Sequence, residues 1–361
     1  SPTKDITKKP RTLYAAGAFN LDSKKHPKAL TLRAGPGWTP NIVPPVQEAQ
    51  VTVVKPGLET LRKAINNAVS GSTLILETGE YFSEKKIKIT KDITIIGDIG
   101  GATILAANKN IKKPIDYLFR VEENVTFKLS HVFIDGKNSN LKYAIVSPDK
   151  LQGARYNLFV DTVTFQNFKN KKGGSVFKAY NGTKADTLSF VNSRFENNYR
   201  GLNLSYDNKN TGIFNANFIV LKNSVFKNIE ESAINYVRKI PNNMISGGDL
   251  LVENCVFYNV DNREKGKIIK VDGIHRVKIV NSVFDNSYKI KTLIVLKGMS
   301  QQISNCLINN SGYVKISQGA RKSDLLYKSP KWEDKTLFIP SKKSALLKEK
   351  NKKATIGLLQ K

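Results

Sequence analysis

A chain of 361 residues with 40% hydrophobic content can bury a large core, and ordinary domain sizes would split it in two or three unless it is a repeat solenoid. Its 58 Lys and Arg against 30 Asp and Glu give a formal charge of +28, so the expected partner is acidic: nucleic acid, anionic lipid or a uronic-acid polysaccharide. There is no run of about 18 apolar residues to span a membrane, and two cysteines with three histidines leave no cluster with metal-ligand spacing, so no cofactor is expected in this chain.

The chain opens on Ser1-Pro2-Thr3-Lys4 without an initiator Met or an apolar leader core, which reads as a processed or truncated product. Residues 1–50 carry Pro10, Pro27, Pro36, Pro40, Pro44 and Pro45 with little periodicity, the pattern of an extended arm. Over Gly57 to Val69, Leu58, Leu61, Ala64, Ile65 and Val69 recur at helical spacing. An amphipathic helix there would cap the open end of a solenoid. Short aliphatic strands follow at Thr73–Leu76, Ile87–Ile89, Ile93–Ile96, Thr103–Leu105 and Val125–Phe127.

From there one pattern repeats, Asn-Ser/Cys-x-Phe-x-Asn. The clear copies begin at Asn192, Asn223, Asn254, Asn281 and Asn305, with weaker ones over 130–135 and 162–167. The anchor recurs as Phe133, Phe165, Phe195, Phe226, Phe257, Phe284 and then Ile308, at intervals of roughly 24 to 32 residues that each correspond to one coil. Period-two alternation turns each Phe inward, and stacking the coils makes an aromatic ladder. The flanking Asn residues fall where the chain turns, because Asn tolerates left-handed backbone and bonds its neighbours, so two Asn ladders are expected. No segment between motifs has a helical period. The predicted fold is all-β, a right-handed parallel β-helix over 51–325 with an N-terminal capping helix, followed by a loop-rich basic tail over 326–361. Cys255 and Cys306 share one column with Ser282 between them, which places their Cα atoms about 9.6 Å apart, too far for a disulfide.

The run Leu58-Glu59-Thr60-Leu61, Ala64, then Ser70 to Tyr81, followed by Ile87-Lys88-Ile89 and Ile93 to Gly97, resembles the opening coils of the pectate-lyase-like β-helices. Within these it is most similar to the alginate lyases and chondroitinase B-like enzymes of polysaccharide lyase family 6. Leu32 to Trp38 resembles the Gly-Pro-x-Trp linker between the two β-helices of two-domain members, and the chain from about Val51 resembles the second helix. The resemblance implies a Lys base and an Arg acid in the first domain, with a cation such as calcium often neutralising the uronate there. That signature matches no positions here, so no catalytic residue is carried over. It also implies a secreted or periplasmic lyase and a preceding catalytic β-helix as partner.

Eliminative cleavage of a uronic-acid polymer needs neutralisation of the carboxylate, a base for the C5 proton and an acid for the leaving oxygen. The strands after the Phe motif are expected to present an outward row of Lys178, Asn203, Ser205, Tyr236, Arg238, Lys270 and Lys297. Arg200, and Arg276 beside His275, are expected near coil corners. The substrate-binding candidates are therefore Lys178, Tyr236, Arg238, Lys270, Arg200 and Arg276. A hydrolase would need converging carboxylates on one face, and Glu230, Glu231 and Asp285 do not recur at one register. No nucleic-acid-binding module is recognisable. Two functions follow: a second, substrate-binding or packing helix of an alginate lyase-like enzyme, or a self-sufficient lyase or polyanion binder with its own Lys, Arg, Tyr or His site.

Overall fold

The computed structural model describes residues 48–98, 101–106, 115–137, 141–149, 153–170, 172–204, 215–238, 247–261, 267–288, 292–297, 300–316, 320–348 and 356–358. The arm expected over 1–50, with its linker-like Leu32 to Trp38, lies almost wholly outside them.

The described strands pair in parallel, each with the strand one coil above and one coil below, and form the expected parallel β-helix. Three faces make a coil. The first carries long strands such as Lys184–Val191 and Ala216–Lys222, the second the short Phe strands such as Arg194–Glu196 and Val225–Ile229, and the third strands such as Ser175–Lys178 and Leu202–Leu204. The first and second faces read as one 20-stranded sheet, with only two residues, such as Asn192 and Ser193, between their strands; the third is a 9-stranded sheet.

The corners explain the Asn repeat. Asn192, Asn223, Asn254, Asn281 and Asn305 turn the first corner with φ of 49° to 53°, and Asn197, Asn228, Asn259, Asn286 and Asn310 turn the second, all left-handed, a region open to Asn at little cost. Their amides bond up the axis, Asn223 to Asn192 at 2.8 Å, Asn228 to Asn197 at 3.0 Å and Asn259 to Asn228 at 2.8 Å. Inside, Phe195, Phe226, Phe257 and Phe284 stack with ring centroids 4.3, 5.0 and 4.8 Å apart. Phe165 joins them at 5.4 Å from Phe195.

Phe133 does not. It pairs with Thr164 and is 44% exposed, while Ile134 takes the inward place opposite Phe165. The corner residue of that coil is His131, with φ 55°, so the repeat there starts one residue later than the Phe alignment implies, and a one-residue slip reverses the facing of every side chain.

The capping helix, α1, spans Thr60–Asn67 and buries Leu61 and Ile65. Leu58 lies before it in a short strand and is exposed. At the other end, the last described coil strand is Ala320–Leu326. Beyond it an antiparallel pair, Trp332–Asp334 with Ile339–Pro340, and a short helix α2, Ala345–Lys348, pack onto the outside of the second face. Phe338, Leu346 and Ile356 cover a column of outward residues, Val225, Val256, Val283 and Leu307.

Candidate functional site

On the third face one register runs Lys88, Arg120, Val146, Lys178, Asn203, Asn235 and Lys270 coil by coil, and continues to Val295 and Lys315; Val146 within it has no exposed surface. Lys178 sits in the middle and is only 9% exposed. Burial, and then the Arg200 guanidinium, pull its ammonium down to about 8, so a large part of it is neutral in mildly alkaline water. Arg200 reaches this face from the coil below, three residues ahead of Asn203, and a bidentate pair with Glu231 fixes its guanidinium, Nε donating to Oε1 at 2.8 Å and Nη2 to Oε2 at 2.7 Å. The planar fork suits a carboxylate in just this way.

Three tyrosines complete the patch. Tyr117 and Tyr143 are paired in adjacent strands, and Tyr180 lies two residues past Lys178, close enough to both for their charges to interact. Burial is the main cause that raises all three phenols, Tyr180 to about 12, so each keeps its proton at neutral pH and acts as a donor. Arg120 extends the cationic side: it bonds Glu122 at 2.7 Å and Asp149 at 3.2 Å, and its guanidinium carbon lies 5.7 Å from the Tyr117 ring centroid. Tyr143 and Tyr180 are half-buried while Tyr117 is buried beneath Arg120, so the first two offer ring surface and donors beside Lys and Arg, which a charged sugar needs.

The predicted residues divide. Lys178 and Arg200 come together, and Lys270 shares their register three coils from Lys178 with an exposed side chain. Tyr236 does not belong to the row. It is one position off register and buried in the core, where its hydroxyl donates to the Ala216 carbonyl at 2.5 Å. Arg238 follows the strand rather than standing on it, and its side chain is buried at the far corner. Its charge is felt by Lys184, whose pKa is lowered by burial first, then by Arg155, and less by Arg238. Arg276 is not at a corner either: it stands on the first face within Ile274–Val280, exposed and paired with Asp249. Ser205 and the Lys297 side chain lie outside the described residues. Among the described residues no group of three or more His, Cys, Asp or Glu converges, so they offer no carboxylate cage of the kind calcium takes.

No family model matches the chain, and no curated protein does. Solved structures do. The alginate lyase AlyGC of the PL6 family superposes with a TM-score of 0.62 at 20% sequence identity, over 81% of this chain and 42% of AlyGC. A point mutant of AlyGC gives 0.59 at 19% identity, over 82% of this chain and 40% of the mutant. The chain has the fold of a PL6 alginate lyase. It spans less than half the length of that enzyme.

On this lyase-type β-helix the sequence reading missed Tyr117, Tyr143, Tyr180 and Arg120, since they lie in coils without a clean Phe motif. A signal was present: counting back from the Ser175–Lys178 strand by one coil puts Tyr143 opposite Ser175, and by two puts Arg120 in the Lys178 register.

Proposed function

We propose that the third face, centred on Lys178 and Arg200, holds a uronic-acid polysaccharide, and that the chain is the substrate-binding second β-helix of a secreted polysaccharide lyase acting on alginate. The observation that carries the reading is the convergence of Lys178, Arg200 and Arg120 with Tyr117, Tyr143 and Tyr180 on one face of a β-helix. The charge of +28 and the alginate lyase among the structural neighbours support the choice of polymer. Arg200 would meet the uronate carboxylate through Nη1, since Nε and Nη2 are held by Glu231, and Tyr143 and Tyr180 would meet the sugar hydroxyls. Retention on immobilised alginate tests it. Lys178→Ala and Arg200→Ala should each elute at clearly lower salt than the parent, because each removes a cation that displaces counterions from the polymer. Lys342→Ala and Lys343→Ala, exposed positions in the C-terminal segment, should elute with the parent. Equal losses at all four would mean diffuse attraction and defeat the proposal.

One observation favours a second reading, that the chain cleaves the polymer itself. An amine held at about 8 is suited to take the C5 proton, and a protonated phenol beside it can give one to the leaving oxygen. Absorbance at 235 nm from the unsaturated uronate separates the two. Under the first reading the purified chain leaves alginate uncut, whereas turnover abolished by Lys178→Ala would establish the second.

A further inference from the structure

The C-terminal segment does more than cover the second face. Where its hairpin meets three successive coils it leaves a cleft of about 270 Å³ lined by Tyr258, Asp285, Asn286, Asn309, Trp332 and a pair of lysines, Lys331 and Lys335. Trp332 is half-buried, and its indole N–H donates to Asp285 Oδ2 at 2.8 Å while its ring meets Phe338 edge-on, centroids 5.2 Å apart. The indole is therefore fixed in place before any ligand arrives, at no further entropic cost on binding. Asp285 is only 5% exposed, and its other oxygen accepts from Asn309 Nδ2 at 2.8 Å. Its charge thus faces two donors, while Lys331 and Lys335 form no ion pair among the described residues.

The corner amide beside it is also available. Asn286 accepts from Asn310 at 3.3 Å, but the bond that Asn259 makes to Asn228 is not repeated from Asn286 to Asn259, and its Nδ2 has no partner among the described residues. The cleft thus offers a fixed aromatic ring, an amide donor and two cations in a space suited to one sugar residue. It stands on the second face, at the corner with the third, and three coils or about 14 Å along the axis from the corner that precedes Arg200.

We infer that this cleft is a second saccharide subsite, which takes one uronate residue of an acidic oligosaccharide by stacking it on Trp332 with its carboxylate on Lys331 and Lys335. The inference does not depend on what the Lys178 face binds. The sequence has two tryptophans, so Trp38→Phe leaves Trp332 as the only indole, and its emission reports the cleft directly. Titration of that variant with an alginate trisaccharide should give a saturable change in emission, and maltotriose, which lacks the carboxylates, should give none. Adding Lys331→Ala and Lys335→Ala should weaken the apparent affinity at least about tenfold, the size of one charge-assisted contact. Both side chains are exposed, and an unchanged unfolding midpoint would show that the fold is intact; if the double variant is unstable, Lys335→Gln alone serves. Adding Lys178→Ala should leave the titration where it was. The inference is overturned by a flat titration, by an equal response to maltotriose, by affinity that survives loss of both lysines, or by a signal that vanishes with Lys178. A Trp332 response without Lys178-dependent retention would sink the third-face proposal and leave the cleft standing.

Discussion

In the third-face register the ammonium of Lys178 is drawn towards neutrality, and the departure has a sign that can be measured in two ways. Its ammonium loses its proton near 8 rather than 10.5, so in the folded chain the charged form is penalised, and the unfolded chain binds one more proton between those limits. Stability from this group therefore rises with pH from about 8 to 10.5, and the cost is fully present below 8. Lys178→Met should raise the unfolding midpoint at pH 7, and its advantage over the parent should shrink as pH climbs towards 10.5; a constant difference would mean the amine titrates normally. The share of alginate retention that depends on Lys178 should run the other way, fading as pH passes 8. The cysteines are a quieter case. Both are buried and unpaired, the Cys255 N–H donates to the Ser282 hydroxyl oxygen at 3.1 Å, and burial pushes both thiols up to about 12. A thiol reagent should find none in the native protein and two after denaturation, since the thiolate is the reactive form.

At the scale of the coil, stability rests on two kinds of stack, and substitution separates them. Asn228 has φ 55°, donates to Asn197 and accepts from Asn259. Asn228→Gly loses the side-chain bonds alone, each worth about 0.5 to 1.5 kcal/mol, whereas Asn228→Ala adds a left-handed backbone cost of about 1 to 2 kcal/mol. Chemical denaturation should therefore rank parent, Gly, Ala in falling order; Ala at or above Gly would mean the corner dihedral carries no strain. Phe226→Ala opens a hole between Phe195 and Phe257 and should cost about 3 to 5 kcal/mol. These elements were legible in the sequence because one residue type serves one geometric role in every coil: Asn at the left-handed corner, Phe inward, Ser or Cys beneath the corner. Where another residue fills the role the reading slips. His131 turns its corner in place of Asn, so the anchor is Ile134 and not the Phe133 that the motif spacing predicts. Tyr236 failed for the same reason, since nothing in Ile234–Val237 fixes which of two alternating positions faces out until the strand is paired with its neighbours. Lys178 was legible as an outward strand position because a long basic side chain in a β-helix strand rarely points inward, whereas Arg200 stands ahead of its strand, Leu202–Leu204, near the coil corner where the sequence places it.

At the scale of the molecule, the segments before and after the coils cover different apolar surfaces. A solenoid exposes apolar core at its ends, and α1 closes the first of them with Leu61 and Ile65. The described part of the C-terminal segment has another place. It lies along the side, where Val225, Val256, Val283 and Leu307 form an apolar column on the outward positions of the second face. The basic composition of that segment hid this role, because its contacts are made by a few residues, Phe338, Leu346 and Ile356, spaced among lysines. Polar ties hold it: Asn254 Nδ2 donates to the Gly357 carbonyl at 3.0 Å, the Gly357 N–H donates to the Asn281 carbonyl at 2.8 Å, and Arg194 donates to the Thr336 carbonyl at 2.6 Å. Removal of everything after Leu326 would uncover the whole column, and each fully buried side chain of this size is worth about 1.5 to 3 kcal/mol. The coils themselves keep their Phe stack and their Asn ladders, so the truncated chain should retain its far-ultraviolet β signal while it binds a hydrophobic dye, unfolds at lower temperature and self-associates. Full-length-like melting and no dye binding after truncation would show that the column does not need its cover. Val256→Ser in the truncated chain should reduce dye binding, and in the full-length chain the same substitution should lower stability, because only there does Val256 pack against the C-terminal segment.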